Sequence, residues 1–141
     1  MRVLLDTCIY IHWTIDQDQL SDDVLELLSD YDTTVCVSSE TLRELIIQFN
    51  SGKLVSKYWK TADQMIDAIK NKFYVSILPL KEEHFRTYAN LHINIAQDHK
   101  DPSDHVIIAH AITEHLPLVT EDGKFEFYKK QGLDLILNKK K

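Results

Sequence analysis

No apolar run in the sequence approaches the about 18 residues that a membrane span requires. The N-terminus also lacks the basic segment and short apolar stretch of a secretory signal, opening instead on strand-like residues. A cytoplasmic protein with no membrane partner is therefore expected. Cysteine is scarce. Cys8 and Cys36 are far apart and form neither a C-x-x-C nor a zinc-finger spacing, so free buried thiols are expected rather than a disulfide or a metal pair. Glycine and proline number 3 each, there is no internal repeat, and the one biased stretch, Lys139-Lys140-Lys141, reads as a solvated tail. Basic charge is short as well, with 16 Lys and Arg against 22 Asp and Glu for a formal net of -6. Such a chain does not hold nucleic acid by bulk attraction, because non-specific binding is largely phosphate neutralisation. A phosphate partner would need local help, and two divalent ions held among the acids would bring the net to about -2.

What is present is a chain of 141 residues, 44% hydrophobic. That suffices for one core and leaves no room for a second, so residues 1–141 are read as one domain. Arg2-Val3-Leu4-Leu5-Asp6-Thr7 is the organising stretch. Consecutive apolar residues that end abruptly in a carboxylate and a hydroxyl read as a strand buried on both faces, with its carboxyl end opening onto polar chemistry. Thr7 to Ile15 suits a short helix or loop at the sheet edge. Ser21 is a plausible N-cap for a helix through about Ser29. Thr33 to Val37 is a second strand, and Ser38-Ser39 can cap a helix with Leu42, Leu45, Ile46 and Phe49 on one face and Glu40 and Glu44 on another.

Further on, a helix is expected from about Lys57 to Asn71, a strand from Phe73 to Leu78, and a helix from Lys81 to Ile95 with Phe85, Tyr88, Ala89 and His92 on its stripe. Ser103 to His115 is so apolar that it should be largely buried. A strand from Leu116 to Val119, a short helix from about Lys124 to Lys130 and a strand near Leu133 to Leu137 complete the chain. Strands alternating with helices predict an α/β layered domain with a mainly parallel central sheet.

In such sheets ligands gather beyond the carboxyl ends of the strands. Four acids fall at or beside those positions: Asp6 after the first strand, Glu44 in the helix after the second, Asp104 at the start of the buried helix, and Asp122 after the fourth strand. Singly, each also reads as a turn former, a helix-start acid or a solvated residue. Together they would repel unless protonated or bridged by a hard divalent cation such as Mg2+ or Mn2+. With phosphate as a further ligand, that arrangement cleaves a nucleic-acid backbone.

Leu4-Leu5-Asp6-Thr7, Val37-Ser38-Ser39-Glu40-Thr41-Leu42-Arg43-Glu44-Leu45, His99-Lys100-Asp101-Pro102-Ser103-Asp104-His105-Val106-Ile107-Ile108-Ala109 and Leu118-Val119-Thr120-Glu121-Asp122 resemble, in order, the successive motifs of the PIN-domain nucleases. The closer resemblance is to the VapC-like toxins of bacterial toxin–antitoxin pairs. It implies a three-layer α/β/α fold, a Mg2+ or Mn2+ site, endoribonuclease activity, a homodimer and a cognate antitoxin. It also implies that Asp6, Glu44, Asp104 and Asp122 are the catalytic and metal-binding acids. Asp101 matches a further acid of the third motif, and Thr7 and Thr120 would orient a carboxylate or a water. Ser103 and His105 stand where relatives often carry an aromatic and an arginine. His105 is a substrate-binding candidate, although a histidine holds its charge less firmly than an arginine.

The 7 histidines do not form an H-E-x-x-H run, so zinc is set aside. Trp13, Tyr58, Trp59 and Tyr128 could stack on bases, with core or dimer packing as the plainer role. Two other functions compete. A phospho-receiver domain would need an acceptor Asp after the third strand and a Lys near the fifth, where the chain has Leu78-Pro79-Leu80 and Leu137-Asn138. A non-catalytic binding module would leave the acids without a metal.

Overall fold

Val3, Leu4 and Leu5 have no exposed surface, which requires a strand covered on both faces. In the computed structural model, which describes residues 1–140, this strand, β1 (Arg2–Leu5), is the centre of the sheet. β2 (Thr34–Ser38) and β3 (Ser76–Leu78) lie on one side of it, and β4 (Leu118–Thr120) and β5 (Leu135–Leu137) on the other. All pairings are parallel, with Leu4 opposite Cys36 in β2 and Leu118 in β4. The period of two along a strand sorts the core. Val3, Leu5, Val35 and Val37 pack against Ile9, Val24, Leu45 and Met65. Leu4, Cys36 and Leu118 turn to the opposite face and meet Ile107, Ile108, Ala111, Phe125 and Tyr128. The fold is therefore a three-layer α/β/α sandwich.

One helical layer contains α1 (Thr7–Ile15), α2 (Asp22–Ser29), α3 (Ser39–Asn50) and α4 (Ala62–Asn71). The other contains α5 (Glu82–Ala89), α6 (Pro102–Glu114) and a 3-10 helical run, Gly123–Gln131. Polar side chains start the helices as the sequence indicates: Ser21 Oγ accepts from Val24 N–H, and Ser38 Oγ from Glu40 N–H. Among the described residues no helix is long and apolar enough to cross a membrane.

Several boundaries differ from the expectations. α4 starts at Ala62 rather than near Lys57, because Thr61 caps it by accepting from Gln64 N–H. β3 is shorter than Phe73–Leu78, since Tyr74 takes a left-handed backbone with φ +55° that no strand continues through. α5 stops at Ala89, well before Ile95, with Asn90 N–H turning back to Thr87 and Tyr88. Its covered side is also shifted by one residue. Phe85, Ala89 and His92 are exposed while His84 is buried, because α5 meets α6 through His84 and through Thr87, whose hydroxyl lies 2.7 Å from that of Thr113. Cys36 is buried as expected, whereas Cys8 is exposed. Trp59 and Tyr128 are core residues, which removes them as surface platforms for bases. Lys139 and Lys140 are exposed, and Lys141 of the expected tail lies outside the described residues.

Candidate functional site

The strand order reverses at β1: the chain builds outward through β2 and β3, then returns to the other side of β1 with β4. In an open parallel sheet the crevice at such a switch point is where ligands sit. Asp6 follows β1 directly, and its N–H donates to Val119 O at 3.0 Å, carrying the β1–β4 pairing into the crevice. Thr120 ends β4 and Asp122 follows two residues later. α3 and α6 begin at the same edge, because a crossover helix runs back against the strands it joins.

Three of the acids serve the backbone with one oxygen each. Asp6 Oδ1 accepts from Ile9 N–H at 2.9 Å and starts α1. Asp101 Oδ1 accepts from Ser103 N–H at 2.9 Å and starts α6. Asp122 Oδ1 accepts from Lys124 N–H at 2.9 Å and starts the 3-10 run. The plain capping role is thus real, and it fixes the carboxylates in place. Thr120 Oγ1 donates to Asp6 Oδ2 and accepts from Asp122 N–H at 3.2 Å, so one hydroxyl ties together two of the acid-bearing segments. Thr7 Oγ1 donates to Glu44 Oε1 and lies 3.0 Å from the Thr41 hydroxyl, drawing the α3 carboxylate toward the start of α1.

These carboxylates disturb one another. Asp6 is pushed up to about 7 by burial, against the Thr120 and Ile9 hydrogen bonds, with Asp104 and Glu121 adding to the rise. Asp104 is pushed up to about 7 by burial and then by Asp101, Glu44 and Asp122. Glu44 is raised by burial, opposed by Thr7, with Asp101 and Glu40 contributing. Acids held at such values are short of positive charge. A hard cation accepting oxygen ligands would supply it, so the donor set fits Mg2+ or Mn2+.

A histidine completes the pocket. Single ligand atoms of His99, Asp104 and Asp122 all lie within 4.8 Å of one another. His99 Nε2 is 3.1 Å from Asp104 Oδ2, and its Nδ1 is 2.8 Å from the hydroxyl of the buried Tyr128. The sequence assigns His99 no role of its own. Its one visible signal is its position five residues before Asp104, inside the third motif. Of the four acids singled out in the sequence, Asp104 and Asp122 meet in this group, and Asp6 and Glu44 each act electrostatically on Asp104 or are acted on by it. Asp101 is exposed at the rim. His105 needs correcting as a substrate contact: only 2% exposed, it donates from Nε2 to His99 O at 2.9 Å. It holds the loop that carries His99.

Ser103, the other departure, also has a place. Its hydroxyl accepts from Arg43 Nη2 at 2.7 Å and donates to Glu40 Oε2 at 2.5 Å, fastening α3 to the start of α6. Burial works against the charge of Glu40, but the Arg43 and Ser103 hydrogen bonds hold its carboxyl below the usual range. Glu40 is therefore a tie between helices, distinct from Glu44. At the rim, His12 Nε2 lies 2.6 Å from Glu121 Oε1.

The PIN domain family model matches residues 3–131. No curated protein matches the sequence significantly. Among solved structures, VapBC2 from Rickettsia felis, bound to a DNA fragment from their promoter, superposes with a TM-score of 0.70 and 26% identity over 99% of this chain and 100% of that one. VapBC-1 from nontypeable Haemophilus influenzae gives a TM-score of 0.66 at 22% identity, covering 97% of this chain and 98% of that one. VapBC-5 from Mycobacterium tuberculosis, a member of the VapBC family of toxin–antitoxin systems, gives 0.60 at 22%, covering 98% of each chain.

Proposed function

The chain belongs to the PIN-domain family, and on that premise we propose that it is a Mg2+- or Mn2+-dependent endoribonuclease, the VapC-like toxin of a toxin–antitoxin pair. The observation that carries this reading is the crevice between β1 and β4, where burial and mutual repulsion hold two carboxyls, Asp6 and Asp104, at about 7. Groups so raised in a cleft favour function over decoration. The VapBC complexes among the structural neighbours support a cognate antitoxin as partner. A homodimer and a cytoplasmic setting complete the proposal.

Asp6, Glu44, Asp104 and Asp122 would hold the ion, which when bound supplies Lewis acidity toward a phosphodiester and acidifies an attacking water. The chain's own contributions follow from its contacts. Thr120 orients Asp6 and the Asp122 backbone, and Thr7 orients Glu44. Asp104 lies in the first turn of α6, whose N-terminus favours the negative charge of the acid itself and of an approaching phosphate. Neutralising the pocket also lessens the repulsion that a chain of net charge -6 otherwise presents to RNA.

Incubation of the purified protein with total RNA tests the reading. Cleavage is expected with Mg2+ or Mn2+ and none in chelator. Asp6→Asn and Asp104→Asn are each expected to lose about 100-fold or more in rate and to abolish growth inhibition while remaining folded. Cleavage that persists in chelator, or a variant that stays toxic, would overturn the proposal. Folded protein that binds no Mn2+ would favour the non-catalytic module instead.

A further inference from the structure

Tyr128 is fully buried, and its one hydroxyl proton decides the state of His99. Asn94 N–H donates to the phenol oxygen at 3.1 Å, and His99 Nδ1 lies 2.8 Å from that oxygen. A backbone amide only donates, so the phenol accepts on that side and passes its own proton to Nδ1. Were Nδ1 to donate as well, the phenol proton would be buried with no acceptor among the described residues. Nδ1 is therefore the bare nitrogen of a neutral ring, and Nε2 carries the proton, 3.1 Å from Asp104 Oδ2. The chain of donors runs one way, from amide to phenol to imidazole to carboxylate.

A second histidine shows the same direction. Lys81 N–H donates to His84 Nδ1 at 2.8 Å, so His84 Nε2–H donates to Glu114 at 2.7 Å, and this bond helps to hold the Glu114 carboxyl below its ordinary range. At His99 the amide acts through one hydroxyl, and the loop around it is closed on every side. Asn94 O accepts from His99 N–H at 3.1 Å, while Asn94 Nδ2 donates to Gln97 Oε1 at 3.3 Å. His105 Nε2–H donates to His99 O at 2.9 Å. The His105 ring stands edge-on to that of His99 with centroids 4.9 Å apart, and Phe125 lies at 5.3 Å. With its amide, its carbonyl and both ring nitrogens engaged, the imidazole is fixed in place.

Asp104 is repelled by Asp101, Glu44 and Asp122, whereas the Nε2–H holds one of its oxygens. Among the described residues no hydrogen bond reaches the other, Oδ1. We infer that His99 is a positioning residue of the ion site, an Nε2–H donor that holds Asp104 Oδ2 and leaves Oδ1 to the cation, with Asn94 and Tyr128 fixing its tautomer. This rests on reading the acid pocket as a metal site. An ion held in this way takes only oxygen ligands from the chain, so Mg2+ and Mn2+ are held by the same atoms. Partners that orient a ligating carboxylate are worth about 10–100-fold in metal affinity.

Nitrogen–proton correlation spectra of the histidine rings in the metal-free full chain test the wiring. His99 is expected to show a protonated Nε2 and a bare Nδ1, unchanged when Mg2+ is added. Pulsed electron paramagnetic resonance of the Mn2+-loaded chain is expected to show no directly bound histidine nitrogen. In Mn2+ titrations, His99→Leu is expected to bind about tenfold or more weakly. His99→Gln, which keeps an N–H donor in the place of Nε2, should recover most of that loss, whereas a side chain needed only for packing would favour Leu over Gln. A proton on Nδ1, a bound histidine nitrogen, or a Gln variant that binds no more tightly than the Leu variant would overturn the inference and leave the acid site standing. A parent protein that binds neither Mg2+ nor Mn2+ would overturn both. The parent's spectra decide even where a variant fails to fold.

Discussion

Asp104 shows how one residue can serve two purposes with opposite energetic signs. It sits in the first turn of α6, where a negative charge is favoured, yet burial and the carboxylates of Asp101, Glu44 and Asp122 raise it from 3.8 to about 7. Between those values the folded protein binds more protons at this site than the unfolded chain, so the site's contribution to stability falls as pH rises through about 7. Metal-free Asp104→Asn should therefore melt above the parent at pH 8, by a stabilisation of order 2 kcal/mol. The difference should be less than half as large at pH 5 and should vanish only below the unfolded value of 3.8. Thermal melts of both proteins in chelator at the two pH values check this, and a gain that is larger at pH 5 would contradict it. His99 stands at the same scale. Its partner Tyr128 lies 29 residues away along the chain, so the sequence around His99 alone does not separate it from a loop histidine.

At the scale of the element, α6 was the most legible helix and α5 the least. Val106, Ile107, Ile108, Ala109 and Ala111 are all buried, as their run of apolar residues requires. Ile107→Ala should destabilise by about 2–5 kcal/mol, since it removes a fully buried side chain between the sheet and its covering helix. Urea unfolding measures that loss. Asp101→Ala should remove the α6 cap for about 1 kcal/mol by the same measurement. α5 misled because its covered side carries polar residues that find partners on α6, with His84 donating to Glu114 and Thr87 meeting Thr113. Hydrophobic periodicity cannot register a stripe whose members are satisfied by hydrogen bonds rather than by apolar burial.

At the scale of the whole molecule, His99, Asp104 and Asp122 gather at one crevice, with Asp6 and Glu44 electrostatically coupled to Asp104, because β4 returns to the far side of β1. A cation bound there by the native state alone would stabilise the fold by mass action, about 2.7 kcal/mol at a concentration 100 times Kd. A chain of this length should then gain about 8 °C or more in Tm. Mn2+ titration followed by thermal melting should show a concentration-dependent rise that disappears in Asp6→Asn/Asp104→Asn. A rise of equal size in that double variant would place the ion elsewhere.

The sequence by itself determined the layered α/β class, the central role of the Val3-Leu4-Leu5 strand and the positions of the acids at strand ends and helix starts. Those features are local: they follow from apolar runs, capping residues and the point where each run meets a polar side chain. Only the tertiary structure decided the strand order, the burial of His84 and His105, the tie between Ser103, Arg43 and Glu40, and the entry of His99 into the acid pocket. Each of these depends on partners distant in sequence that are satisfied across packed elements, and such pairings leave no periodicity along the chain.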